Sequence, residues 1–430
     1  MAKKNELIAA VDFGSRAVRI VITRRAPDGQ TRILGYGVEP TQGCIRFGAI
    51  QDLNAATQAF RAAFNTAKKM AGTSVSALYC GIHGAKISTN VSEGRVPIEN
   101  KIIKPEHLET ARKNAATASI GAKTRALSSF MSEEWTVDDV RVTDPLDMHG
   151  SVLKVRIHFA QIPEFVENNL RRCIETQGLL IEEFVFMPLA AASGCLTCED
   201  IQMGVAVVDL GAAAADIAVY TNNDIAVATA YNWGSGLIIN DITAGIKVSF
   251  EEATELLLEY GVSDHRIRLL DRNTTRSDSE RKGASAKENA PIKLTRTVTG
   301  APSTVPRSEL DAIIFARCDE IAEKVQHFLN KNNLLDRLAR GIVLTGGGAG
   351  IHNLDTLFGI ICDIPVRVGV PLGFDDLPES LDLPEWTPVM GIIKHAMERR
   401  SAMEKGQLSP QGNNNSWYAR IRRLLGKYFV

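Results

Sequence analysis

Metal-binding patterns are absent from this 430-residue sequence. Its eight histidines include no H-x-x-x-H or H-E-x-x-H spacing. Its seven cysteines (44, 80, 173, 195, 198, 318 and 362) are odd in number and scattered, which excludes a disulfide framework and suits a reducing compartment. Cys195-Leu196-Thr197-Cys198 is the one C-x-x-C, and structural zinc needs four ligands, so these read as two thiols. No run approaches the ~20 apolar residues of a membrane span. Lys3 and Lys4 lead straight into a strand, without the apolar core of a signal peptide, so the chain is expected in the cytoplasm. A formal net charge of −1 supplies no basic field, and nucleic acid is not an expected partner.

What is present is a duplicated hairpin. Ala10-Val11-Asp12-Phe13-Gly14 recurs as Val207-Val208-Asp209-Leu210-Gly211, each an apolar strand entering Asp-x-Gly and leaving in an alternating apolar strand. At such a turn the carboxylate can hold a hydrated Mg²⁺, and glycine lets backbone N–H groups approach a polyphosphate. One copy alone is a common hairpin turn; two in register, followed by Gly346-Gly347-Gly348 after Ile342-Val343-Leu344, are far more specific. The expectation is an α/β chain of two related lobes around an actin-type nucleotide cleft. With 45% hydrophobic residues it can bury at least two cores.

Strands are expected around 8–12 and 18–24, and a helix over 54–70. Beyond Gly81-Ile82-His83-Gly84 the pattern changes. Pro105 starts an alanine-rich helix, and Leu153, Val155, Ile157 and Phe159 alternate with polar residues, so 85–163 reads as a small α+β insertion in the first lobe. The second lobe begins near Gly204. A helix over 250–260 precedes a polar stretch, 272–304, expected to be exposed; Ser308 is the expected cap of the next helix. Residues 401–416 have linker composition.

The end of the chain carries the second strong signal. If Ser416 caps a helix, Trp417, Tyr418, Ile421, Leu424, Leu425, Tyr428 and Phe429 share one arc, and Arg420, Arg422, Arg423 and Lys427 lie on the other side or its edges. Four cations without an acid, on a polar tether, favour an anionic membrane surface over docking on the protein's own core. Each basic group contributes ~1 kcal/mol near an anionic leaflet.

With cleft, insertion and tail together, the chain resembles the bacterial cell-division protein family FtsA, of the actin/Hsp70-like superfamily. The resemblance extends to Asp144-Pro145-Leu146-Asp147-Met148-His149-Gly150, to Met187-Pro188-Leu189-Ala190-Ala191 at the family's turn between lobes, to Gly234-Ser235-Gly236, and to Ser249-Phe250-Glu251-Glu252-Ala253. It continues through Pro306-Arg307-Ser308-Glu309-Leu310 with Arg317, and Pro388-Val389-Met390-Gly391. It implies an actin-like (ribonuclease H-like) fold: lobe 1 over 1–84 and 164–203, the insertion over 85–163, the lobe 2 core over 204–223 and 306–400 with a small subdomain over 224–305, a linker over 401–416, and a membrane helix over 417–430. It also implies a polymerising adaptor at the cytoplasmic face of the inner membrane. Such a protein tethers FtsZ through the FtsZ C-terminal peptide, with Arg307 and Arg317 at the basic partner surface, and contacts later division proteins through the insertion.

The implied nucleotide site, for ATP or ADP with Mg, comprises Asp12, Gly14, Ser15, Arg16, Asp209, Gly211, Asp216, Gly234, Gly236, Glu252 and the 346–348 glycines, with Asp12 and Asp209 holding Mg through water and Glu252 on the adenosine side. The sequence departs from the family here. Its second loop reads Asp209-Leu210-Gly211-Ala212-Ala213-Ala214-Ala215-Asp216 where the family usually has D-x-G-G-G-T-T-D, and Arg16 stands where a small hydroxyl is usual. Alanine at a position needing positive φ costs roughly 1–2 kcal/mol, so weak nucleotide binding and little hydrolysis are expected. Arg16 can pair with a phosphate, fold into the cleft in place of the cation, or simply face solvent on the hairpin. Two other readings share the superfold: a pilus-assembly scaffold, and a sugar-kinase-type enzyme that the alanine run argues against.

Overall fold

The computed structural model describes residues 7–25, 30–84, 87–99, 101–117, 124–270, 290–297, 300 and 302–404. Lobe 1 is built on a five-stranded sheet in the order Thr31–Pro40, Ala17–Arg25, Leu7–Phe13, Ala77–Ile82, Leu180–Phe186. Lobe 2 repeats it as Asp224–Tyr231, Ala215–Thr221, Val205–Leu210, Ile342–Thr345, Val366–Val368. In both sheets the first three strands form an antiparallel meander and the last two run parallel to the first. The duplication seen in two short motifs is therefore a duplication of whole sheets.

Burial explains the strand sequences. Leu7–Phe13 and Val205–Leu210 are covered on both faces and read as continuous apolar runs interrupted by one aspartate each. The helix Leu53–Ala71 covers one face of the lobe 1 sheet. It starts where Asp52 accepts from the N–H groups of Asn54 and Ala55, and ends at Gly72 in the left-handed region.

Between Ile82 and Glu164 the chain forms a separate sheet, ordered Ser88–Pro97, Val152–Pro163, Thr124–Val137, Val140–Val142 and backed by the helix Pro105–Thr117. This unit has its own core, in which Trp135, Leu153, Val155, Ile157 and Phe159 pack against Ala111 and Ala115.

Several expectations change. Met187–Ala191 is not a turn but part of a buried helix, Met187–Cys195. It crosses the helix Thr387–Glu404 so closely that a Cβ on Gly391 would lie 1.7 Å from the Ala190 carbonyl oxygen. Thr387–Glu404 packs on lobe 1 through Ile8, Ala10, Val21, Tyr79 and Val185, so residues up to 400 do not all belong to lobe 2. It also runs through residues 401–404, which composition alone placed in the linker. Asp224–Tyr231 is an edge strand of the lobe 2 sheet rather than the start of its small subdomain. Ser308 lies inside the helix Arg307–Lys331, which follows Pro306. Within the polar stretch, Pro291–Leu294 pairs with Ser303–Pro306 and buries Ile292, Leu294 and Val305. Three alternating apolar side chains outweigh the polar composition there. Residues 405–430, with the expected membrane helix, lie outside the described residues.

Candidate functional site

Each lobe delivers its first hairpin to the cleft. In lobe 1 Asp12 faces Arg19 across the hairpin; at the equivalent place in lobe 2 Asp209 faces Asp216. Gly14, Ser15, Arg16, Gly211 and Ala212–Ala214 line the cleft, with the 346–348 glycines at its back. The cleft holds about 150 Å³. Small-molecule pockets usually span ~300–1,000 Å³, so the cleft is narrow for a nucleotide. Gly346 is indispensable: its φ is +78°, and a Cβ would lie 2.0 Å from Oδ1 of Asp209. Gly234 and Gly236 support the second hairpin from behind, Gly236 N–H donating to the Ala212 carbonyl at 2.8 Å and Ser235 N–H to that of Gly211 at 2.9 Å.

The unexpected residue is His83. It follows the strand Ala77–Ile82, which runs parallel to Leu7–Phe13, and one ring nitrogen, Nε2, meets the Phe13 carbonyl oxygen at 3.0 Å. Nε2 also lies 3.6 Å from Oδ1 of Asp12, and Nδ1 lies 3.8 Å from Oδ2 of Asp216. A lobe 1 imidazole thus stands between carboxylates of both lobes. Burial disfavours its charged form, but Asp12, Asp216 and the Phe13 carbonyl outweigh that and raise its pKa. Burial, with Asp216 and Asp12 nearby, pushes Asp209 up to about 8. Asp216 is pushed up to about 6 by burial, against the pull of His83. Arg19 supplies a further cation to the cleft lining, its side chain largely buried, 3.2 Å from Glu385 and 5.7 Å over Trp386.

Other expected site residues have different surroundings from those anticipated. Glu252 does not line the cleft: its carboxylate accepts from Thr295 N–H at 2.7 Å and Arg296 N–H at 2.6 Å, anchoring the ribbon beyond it. Its helix contributes Thr254, Leu257 and Leu258 to the cleft instead. None of Ala212–Ala215 has positive φ, so the expected backbone penalty of the alanine run does not arise. Arg16 is exposed at the cleft mouth, 5.8 Å over the Phe250 ring. Arg307 lies 3.7 Å from Asp311 and 5.0 Å over Tyr260. Arg317 donates to Asp241 at 2.6 and 3.2 Å and pairs with Glu320. Both arginines share one helix, Arg307–Lys331.

His83, Arg19, Thr254 and Glu385 carried no motif. The signal for His83 was a polar side chain just beyond the carboxyl end of a parallel strand, where α/β folds place their sites.

The loops suit a polyphosphate in kind, offering glycine and small residues, but not in room. A resident Mg²⁺ fits poorly. Among the described residues no three His, Cys, Asp or Glu side chains form a group that could ligate a metal directly, which leaves a water-held ion as the form to test. The imidazole stands beside Asp12, one of the two carboxylates expected to orient the ion's waters, with Asp216 on its other side.

Residues 206–391 match the family described as "Cell division protein FtsA", and residues 84–160 match "SHS2 domain inserted in FTSA", together more than half of the chain. The chain belongs to the FtsA family. Over 433 residues it is 27% identical to the cell division protein FtsA of Neisseria meningitidis, covering 100% of both chains. It is 25% identical to that of Pseudomonas aeruginosa over 400 residues, covering 93% of this chain and 91% of the relative. Among solved structures, the PilM-PilN type IV pilus biogenesis complex has a TM-score of 0.60 at 13% identity, with 91% of this chain and 98% of that chain covered. MreB 5 of Spiroplasma citri bound to AMPPNP has a TM-score of 0.55 at 13% identity, with 94% and 100% covered. These two likenesses establish the actin-like fold alone. This FtsA-family chain is thus an actin-like cell-division protein, and its separate sheet between the first lobe's strands is the family's SHS2 insertion. Among the described residues no helix is long and apolar enough to cross a membrane.

Proposed function

We propose that this protein self-assembles on the cytoplasmic face of the inner membrane at the division site and tethers FtsZ filaments there. The observation that carries the reading is the union, in one FtsA-family chain, of a two-lobed body, an inserted subdomain with its own core, and a basic amphipathic terminal sequence. Trp417 to Phe429 supply the membrane contact, and clustering of several copies multiplies a weak single attachment. The helix bearing Arg307 and Arg317 receives the acidic C-terminal peptide of FtsZ, and the insertion receives later division proteins. ATP or ADP binds weakly and is turned over little, in keeping with the narrow cleft and the missing loop hydroxyls.

Vesicle co-sedimentation with the FtsZ of the same cell, with and without residues 417–430, tests the reading. FtsZ should pellet only with the intact chain. If the protein pellets while FtsZ stays in solution, the partner assignment fails; if truncation leaves pelleting unchanged, the anchor assignment fails.

A further inference from the structure

Three features of the cleft remain unused by the tether reading. Oδ1 of Asp12 and Oδ1 of Asp216 are buried and find no hydrogen-bond partner among the described residues, although both carboxylates face the cleft. The side chain standing between them is an imidazole, held in orientation by the Phe13 carbonyl. The positions that face each other across the two hairpins also differ in charge, Asp12 with Arg19 against Asp209 with Asp216. Three carboxylates and two cationic side chains therefore share one small space.

We propose that His83 is the specificity residue that makes this cleft metal-independent, occupying the cation position and linking Asp12 of lobe 1 to Asp216 of lobe 2. This rests on the reading of the cleft as a nucleotide site. Mg²⁺ demands octahedral geometry with oxygens at ~2.0–2.1 Å and gives up its waters reluctantly. An ion held through water needs a water layer between itself and each carboxylate. With the ring 3.6 Å from Asp12 and 3.8 Å from Asp216, no water layer fits between the ring and either carboxylate. The ring's polar edge faces the carboxylates in the ion's place, while Arg16 at the mouth and Arg19 in the lining remain to meet phosphate oxygens.

The test uses the full chain and two variants, His83→Ser and His83→Asn, the second keeping an amide donor for the Phe13 carbonyl. Mn²⁺ binding is followed by the loss of the free-ion paramagnetic resonance signal, and binding of a fluorescent ATP is measured in Mg²⁺ and in EDTA. The natural protein should take up no cleft Mn²⁺ and bind the ATP analogue equally in both conditions. At least one folded variant should gain a single Mn²⁺ site that is lost on adding Asp12→Asn. In that variant Mg²⁺ should tighten nucleotide by ~10-fold or more, within the span usual for coupling between two ligands. A Mn²⁺ site in the natural protein that Asp12→Asn removes would overturn the proposal, as would no gain in either variant. If no protein binds the ATP analogue, the nucleotide reading fails while the Mn²⁺ titration still decides the role of His83.

Discussion

The guanidinium of Arg16 lies 5.8 Å over the ring of Phe250, joining the first hairpin of lobe 1 to a lobe 2 helix across the cleft mouth. An exposed cation–π contact contributes ~0.5–1 kcal/mol, enough to bias lobe closure but small beside the stability of either core. Arg16→Ala should therefore speed amide hydrogen exchange at residues 211–214 while leaving the urea midpoint nearly unchanged. Equal exchange in both proteins would remove Arg16 from any role in closure.

Stability should depend on pH through the same cleft. Burial pushes Asp209 up to about 8 and Asp216 up to about 6 in the fold, above the ~3.9 of an unfolded aspartate. The folded state thus holds more protons than the unfolded state over that interval, so stability falls as pH rises through it. The raised pKa of His83 acts in the same direction above its unfolded value. The melting temperature should decline from pH 5 to pH 8.5, and Asp209→Asn should flatten the decline. A melting temperature that climbs over this range would contradict the buried-carboxylate assignment.

For Arg307 the side-chain surroundings alter the choice of variant. Arg307→Glu places a second carboxylate one helical turn from Asp311, which is 3% exposed, so this change should lower the unfolding midpoint as well as weaken binding of the FtsZ peptide. Arg307→Met keeps an unbranched stem against Tyr260 and should fold normally while still losing peptide affinity. Calorimetric titration of the peptide into the Met variant is the discriminating measurement; undiminished heat would exclude Arg307 from the interface.

The alanine run makes a prediction opposite to the one its motif suggests. Because Ala213 has negative φ, glycine there only adds freedom to the unfolded chain, and Ala213→Gly should destabilise by ~0.4–1 kcal/mol. A stabilising effect in urea denaturation would mean that the loop is strained after all.

Much of the architecture was legible in the residues. Asp12-Phe13-Gly14 and Asp209-Leu210-Gly211 sit on equivalent strands, and alternation at Leu153, Val155 and Ile157 marks the inserted sheet because a half-buried strand must repeat every second residue. The ribbon at Pro291–Leu294 was hidden by its polar neighbours, and the lobe 1 docking of Thr387–Glu404 left no local mark, since packing partners distant in the chain impose no periodicity of their own.

The sequence by itself determined the duplicated lobes, the glycine turns, the small α+β insertion and the amphipathic terminal pattern, all of which depend on short-range spacing. Only the tertiary structure decided what the cleft contains. Asp12 and Asp216 lie on strands of different lobes and His83 just beyond a third strand, and their electrostatics arise from the burial and proximity that appear once parallel strands of one lobe face the hairpin of the other. The same holds for Glu252, whose carboxylate is committed to the backbone of residues 295 and 296 by a fold that composition gave no reason to expect.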